Sequence, residues 1–475
     1  MDCFWGATLA NPKILTGGAA EVASDLDRQS RLLEVLDAWP PLRGVVQARL
    51  TGYGKSDGTP KILAWAMSPE AAKAVAALQM PGLQIKPRPA RRYPQGELFA
   101  HALGFVGLSE MGQGQDGLEL AANPRLATVQ VPSGPHGRPL ETTLDAAVQK
   151  MARDALRVGL SAHQAIGGAA VVIDVESGEI RAMVSAPDFD PNDASTYRNP
   201  YQPDRIINRA VAVSFPAASL FTPLLVAQGI ESGRFSPSDE VALGNGALKV
   251  GNYVVRDWYP YGADTLSVAQ VVAKSSNVGL AKLALQIPLL ELQEMTKNMG
   301  LGEALAIPGV MGGVTYARTP WREWTPMMQA APGLFIETNL MQLMRAYMPI
   351  AGEGVLRTPS MLKHAAGGES GLQVMSPGTV THMRQILRQA TGLTGTAPKA
   401  QVLGLSVAGK TSTLTKLGGG RPAVAAFVGM APVERPQWLV GVLLQFPPEA
   451  VHYSGDTAAP VFASIVQGLA VAIKR

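Results

Sequence analysis

Three short segments carry residue types that together could transfer an acyl group. SFPAASLFTPLL places Ser219 where an extended stretch ending at Pro216 gives way to an apolar helical pattern. AKSSNVGLAKLA sets Ser275, Ser276 and Asn277 ahead of a second helix, and VAGKTSTLTK sets Lys410, Thr411, Ser412 and Thr413 after a short apolar strand. A serine hydroxyl is a poor nucleophile until a base takes its proton, so Ser219 needs partners brought to it from elsewhere in the chain. Each segment alone is a weak signal. A serine at a helix start is most often only a cap, and SSN and KTS strings occur by chance in many proteins.

The elements that would position these groups fall into two parts. PSGPHGRP, Pro132 to Pro139, is a cluster of helix and strand breakers and marks a candidate boundary, giving domains 1–135 and 136–475. Before it, ASDLDRQSRLLEVLDAW is amphipathic. SPEAAKAVAALQ has a Ser68 cap with Pro69 at the first helical position. MPGLQIKPRPARRYPQGE reads as extended strand and turns, and LFAHALGFVGL as a short helix or a buried strand.

After the boundary, LDAAVQKMARDALRVGLSA predicts a long amphipathic helix. AAVVIDVESGEIRAMVSAP predicts an antiparallel hairpin turning at Glu176-Ser177-Gly178. The region from Asn208 to Pro349 is mostly helical in pattern, AVAAFVGMAP and QWLVGVLLQF form another strand pair, and APVFASIVQGLAVAIK closes as a helix. Strands at both ends with helices between predict an α+β fold, an antiparallel sheet flanked by helices.

Composition removes several function classes. The 475 residues are 47% hydrophobic and 16% charged, which supports globular folding in more than one domain and excludes extensive disorder. The net charge of +4 is small, and no basic run is interleaved with aromatics, so nucleic acid is not expected as a partner. Cys3 is the single cysteine, which rules out an internal disulfide and any thiolate metal cluster. His101, His136, His163, His364, His382 and His452 lack ligand spacing, so no metal and no cofactor are expected. The sequence as it stands shows neither an export signal nor a spanning helix.

In combination the three segments match the order Ser-x-x-Lys, Ser-x-Asn, Lys-Thr-Gly of penicillin-binding proteins and serine β-lactamases. The flanking text is more specific. RRYPQGELFAHALGFVG with GQDGLEL resembles a pedestal signature, and GRPLETTLDAAVQ resembles the entry to a transpeptidase domain. GGAAVVIDVESGEIRAMVSAPDFDPND and SGDTAAPVF are similar to other landmarks of the class B penicillin-binding proteins, the division-type D,D-transpeptidases.

The resemblance implies an elongated pedestal domain followed by a serine β-lactamase-like transpeptidase domain. It implies peptidoglycan stem peptides or β-lactams as ligands and cell-wall synthesis and division proteins as partners. The location implied is the periplasmic face of the bacterial inner membrane. It casts Ser219 as nucleophile, Ser275 as proton relay and Asn277 as holder of the substrate amide. Lys410, Thr411 and Thr413 would bind the terminal carboxylate, with the backbone N–H groups of Ser219 and Thr413 forming an oxyanion hole.

Against that pattern the chain departs at several positions. Thr222 stands where the lysine base belongs, Ala218 where glycine precedes the serine, and Ser412 where glycine completes Lys-Thr-Gly. MMQAAPGLFIETNL also departs from the usual Gly-rich turn, with Ala330, Ala331 and Pro332 and then Glu337-Thr338-Asn339. A neutral threonine hydroxyl cannot replace a lysine as base, and losing a positioned base costs roughly 10²–10⁴-fold in rate. The expectation is an impaired enzyme serving as a scaffold. The alternative is an active transpeptidase with a substitute base such as Lys410.

Overall fold

The computed structural model describes the chain except residues 1–2, 10–18, 53–60, 82, 90, 108–112, 127–138, 194–202, 259, 302–306, 308, 311–319, 364–370, 416, 449 and 474–475. All but the last residue of the breaker cluster Pro132–Pro139, together with His136 and His364, therefore lies outside the described residues. Two compact units emerge. One comprises Met1–Pro94, Val106–Gln115 and Asn123–Arg138, and the other Gln95–Phe105, Asp116–Ala122 and Pro139–Arg475.

In the smaller unit β1 (Cys3–Leu9) is the centre of a three-stranded antiparallel sheet, flanked by β2 (Lys61–Met67) and β3 (Leu83–Pro89). Helices α1 (Ala19–Val35), α2 (Pro40–Gly52) and α3 (Pro69–Ala77) accompany it, with a core around Leu32, Leu36, Val46, Leu63 and Val75. The start of α3 is as the sequence requires. Ser68 Oγ accepts from the Ala71 N–H, and Pro69 occupies a position whose N–H has no helical partner.

The larger unit is built on a five-stranded antiparallel sheet. Its strands are β4 (Gly167–Asp174), β5 (Ile180–Ala186), β8 (Ala408–Leu414), β9 (Ala423–Ala431) and β10 (Trp438–Phe446), in spatial order β8-β9-β10-β4-β5. Two further pairing segments, β6 (Phe215–Pro216) and β7 (Glu337–Thr338), lie outside that sheet. Every residue of β9 and β10 is buried, because apolar layers cover both faces of the sheet. This explains why those strands read as unbroken apolar runs rather than alternating ones.

Helices α4 (Ala146–His163) and α10 (Ala458–Ile473) pack on one face. The other face meets a helical layer of α5 (Thr222–Glu231), α6 (Val268–Lys274), α7 (Asn277–Ala284), α8 (Leu340–Ala351) and α9 (Pro377–Thr391). Helix α8 is buried along almost its whole length, and its apolar residues circle the axis accordingly. Asn339 and Gln342 start it with a reciprocal capping box.

The α+β architecture, the 167–186 hairpin and the closing helix agree with the sequence reading. One open reading is resolved and one expectation changes. LFAHALGFVGL is helical over its first half, as a 3-10 turn Gly96–Phe99 running into a helix Ala100–Leu103. The region Asn208 to Pro349, expected to be helices and loops, also contains short antiparallel pairs, Glu240–Ala242 with Thr265–Ser267 and Ala247–Val250 with Tyr253–Arg256. Strands this short carry too few residues for a period of two to show.

Candidate active site

Ser219 lies in a 3-10 turn, Ala218–Leu220, that continues through Phe221 into α5. The sequence pattern predicts a helix opening at the serine; the α-helix begins instead at Thr222. Side chains at i and i+3 eclipse in 3-10 geometry, so Thr222 occupies the place one turn above Ser219. Thr222 is fully buried. The turn is tied down on three sides. Ala217 N–H donates to the Ile336 carbonyl at 2.9 Å beside the β6–β7 pairing. Tyr347, buried on α8, donates its hydroxyl to the Leu220 carbonyl at 2.7 Å, and burial holds its pKa well above the ordinary tyrosine value. Gly333 approaches so closely that a Cβ there would stand 2.3 Å from the Ala218 carbonyl oxygen.

Ala218 itself has φ +44°, in the left-handed region where a Cβ is disfavoured. Only four non-glycine residues among those described have positive φ, and two of them, Ala218 and Ser275, are in this site. Ser275 ends α6 at φ +58° and ψ +46°. That turn separates α6 from α7 and directs the Ser275 hydroxyl to within 3.3 Å of Ser219 Oγ. Backbone strain of this kind persists where the surroundings over-determine it.

Lys410 completes a chain of three groups. It sits mid-strand on β8, which packs against the Ser219 turn, and its Nζ donates to Ser275 Oγ at 3.0 Å and to the Thr411 carbonyl at 3.2 Å. The side chain is completely buried, and desolvation lowers its pKa from 10.5 to about 7. At neutral pH it is therefore a lysine with a substantial uncharged fraction. Hydroxyl protons rotate freely, so the chain can run in reverse, with Ser219 donating to Ser275 and Ser275 to a neutral Nζ.

The remaining positions of β8 divide by face. Lys410 and Ser412 share one, and Thr411 and Thr413 the other. Thr411 Oγ1 donates to Thr396 Oγ1 at 2.9 Å, and Thr413 Oγ1 lies 2.9 Å from Ser454 Oγ and accepts from the Ser454 N–H at 3.0 Å. These hydroxyls lie along β8, an edge strand of the five-stranded sheet. Ser412 is buried, and its hydroxyl has no hydrogen-bond partner. Asn277 is exposed, and its side-chain amide donates to the Arg256 carbonyl at 2.9 Å.

Several positions carrying this geometry gave no sequence signal. Asp257 accepts from Ser276 Oγ at 3.0 Å and from the Val278 N–H at 3.0 Å, fixing the turn between α6 and α7. Tyr347 lies in an apolar helix like many others. Ser454 was visible only as part of the SGDTAAPVF landmark. Glu337, one of the departures in the 330–339 loop, accepts from both Arg421 guanidinium nitrogens at 3.0 and 3.1 Å. Arg421 also donates to the Ser214 carbonyl, so the pair joins the loop after β8 to the segment leading into Ser219. Among the described residues no group of histidine, cysteine or carboxylate side chains could hold a metal ion.

Comparison with known proteins gives a consistent picture. Residues 168–467 match a family described as the penicillin binding protein transpeptidase domain, and residues 17–127 match the penicillin-binding protein dimerisation domain. The chain is 30% identical to the probable peptidoglycan D,D-transpeptidase PenA of Neisseria gonorrhoeae, covering 94% of this chain and 78% of that one. It is 27% identical to the peptidoglycan D,D-transpeptidase FtsI of Escherichia coli, covering 92% of this chain and 77% of that one. The solved transpeptidase domain of Burkholderia pseudomallei penicillin-binding protein 3 aligns at a TM-score of 0.61 and 30% identity, covering 72% of this chain and 98% of that one.

Proposed function

The chain belongs to the class B penicillin-binding proteins, and from that premise we propose that it is a peptidoglycan D,D-transpeptidase-type protein of cell-wall synthesis and division with a weakened nucleophile at Ser219. The ligand is the D-Ala-D-Ala end of a stem peptide, or a β-lactam in its place. The partners are other proteins of wall synthesis and division, at the periplasmic face of the inner membrane. Among the described residues no helix is long and apolar enough to cross a membrane. The N-terminal pedestal is assigned to 1–135 and the transpeptidase-like domain to 136–475.

One observation carries the reading: the chain from Lys410 Nζ through Ser275 Oγ to Ser219 Oγ, at 3.0 and 3.3 Å. Ser219 attacks the penultimate D-Ala carbonyl while its proton passes through Ser275 to neutral Lys410. The N–H groups of Ser219 and Thr413 receive the oxyanion, and Thr411 and Thr413 the terminal carboxylate. Collapse breaks the amide bond, the proton returns to the departing D-Ala amine, and an acyl-Ser219 ester remains for an acceptor amine.

The same geometry supports slowness. The base acts through a second hydroxyl rather than directly, and the Ser219–Ser275 contact is long for an O–H···O bond. Thr222 adds no proton acceptor. A second reading, a pure scaffold that binds the peptide end without turnover, rests on Thr222 and Ser412 standing where the family has lysine and glycine.

Intact-mass spectrometry after incubation with a penicillin separates these readings. The expected result is one adduct, on Ser219, forming over hours. A stoichiometric adduct within seconds would overturn the impairment. No adduct after a day would leave only the scaffold.

A further inference from the structure

Two large aromatic side chains stand exposed beside the two segments that flank Ser219, one bearing Ser275 and Asn277 and the other β8. Trp258 is 66% exposed and Tyr453 47% exposed, yet they touch one another. Trp258 Nε1–H donates to Tyr453 Oη at 3.3 Å, and the rings meet edge to face with centroids 6.3 Å apart at 78°. A single exposed aromatic needs no explanation. Here, however, the two come from opposite walls.

Trp258 follows Asp257, which holds Ser276 Oγ and the Val278 N–H and so fixes the segment bearing Ser275 and Asn277. Tyr453 precedes Ser454, whose N–H and Oγ both engage Thr413 Oγ1 on β8. Each aromatic is thus one residue from an anchor on its own wall. The Lys410–Ser275 hydrogen bond joins the same two walls. Joined by one hydrogen bond and one ring contact, both open to water, the aromatics hold a closure weak enough to open and re-form.

We propose that Trp258 and Tyr453 form an aromatic strap across the mouth of the Ser219 cleft. The strap admits narrow, extended ligands such as a peptide terminus and retards broad ones. The proposal rests on Ser219 being the reacting group, but the strap is tested without the acyl chemistry.

In a Cys3→Ser, Ser219→Cys protein the single remaining thiol reports access to the cleft. Its alkylation is timed with iodoacetamide, which is small, and with a maleimide bearing a broad aromatic dye. Adding Trp258→Ala should speed the bulky reagent by about fivefold or more, the factor expected when a mostly closed state is removed. The iodoacetamide rate should stay nearly unchanged. Tyr453→Phe, which keeps the ring and loses only the hydrogen bond, should give a smaller acceleration of the same kind. Equal effects on both reagents, or none on either, would overturn the strap.

Penicillin adduct formation is followed in parallel on the proteins that retain Ser219. If Trp258→Ala frees the thiol but neither serine protein takes up penicillin, the strap stands and the acyl-serine reading falls. If both serine proteins take up penicillin at the same rate and thiol labelling is unchanged, the strap falls and the reading stands.

Discussion

Strand β8 and the turn that carries Ser219 pack against each other, but they are held in different ways. Lys410 is buried in regular strand, hydrogen-bonded on two sides, with its pKa set by desolvation alone. Ser219 stands in a short 3-10 turn on a left-handed Ala218, secured by Tyr347, Ile336 and the close approach of Gly333. One side holds a buried lysine whose lowered pKa would suit a base; the other holds Ser219 on strained backbone, with Thr222 rather than a lysine one turn on. On the function proposed above, the proton acceptor comes from a different element than the one carrying Ser219.

The sharpest way to break this comparison is to remove the base. Lys410→Met is predicted to slow acylation of Ser219 by about 100-fold or more and to abolish a rise in rate through pH 7, both read from adduct time courses at pH 6 and pH 8. Stability should also depend on pH through this group. The folded pKa of about 7 lies below the ordinary 10.5, so the unfolded chain binds more protons between those values. The native protein is then least stable below pH 7 and gains stability up to about pH 10.5. Lys410→Met should flatten that slope in denaturant titrations at pH 6 and pH 9. An unaltered slope would mean that the buried lysine does not titrate as described.

A second variant supplies what the turn lacks. Thr222→Lys is predicted to raise acylation by only about tenfold, short of the roughly 10²–10⁴-fold that a positioned base contributes, because Ala218 and Ser412 remain. Acylation at the rate of fully active relatives would show those two residues to be harmless.

The smallest effects concern strain on each side. Ala218→Gly relieves a left-handed alanine, and Ser412→Ala removes a buried hydroxyl with no partner. Each is predicted to stabilise the protein by about 1 kcal/mol, measured by thermal or chemical unfolding. A loss of stability in Ala218→Gly would remove the argument from strain.

Much of this was legible in the sequence, for identifiable reasons. The strands β4, β5, β9 and β10 and the helices α4 and α10 are long enough to show their apolar patterns, and they define the fold. Ser219, Ser275 and Lys410 were visible as residue types in order, and the structure brings their side chains into one hydrogen-bonded chain. What could not be read was geometry fixed by tertiary contact. The left-handed turn at Ser275, the clasp of Asp257 on the turn between α6 and α7, and the engagement of Asn277 by Arg256 all depend on segments distant in sequence. Likewise the departure at Glu337 looked like erosion of a loop, because its partner Arg421 is 84 residues away.

The hydroxyl of Tyr347 has a consequence beyond the cleft. It connects a helix submerged in the middle of the molecule to the carbonyl directly after Ser219, so the position of that residue is referenced to the interior rather than to the surface loops around it. Substitutions that repack α8, none of which would touch a ligand, should therefore be read out as changed reactivity at Ser219. A survey confined to cleft-lining residues would overlook them, and drug sensitivity in such a protein could drift while every residue in the groove stayed the same.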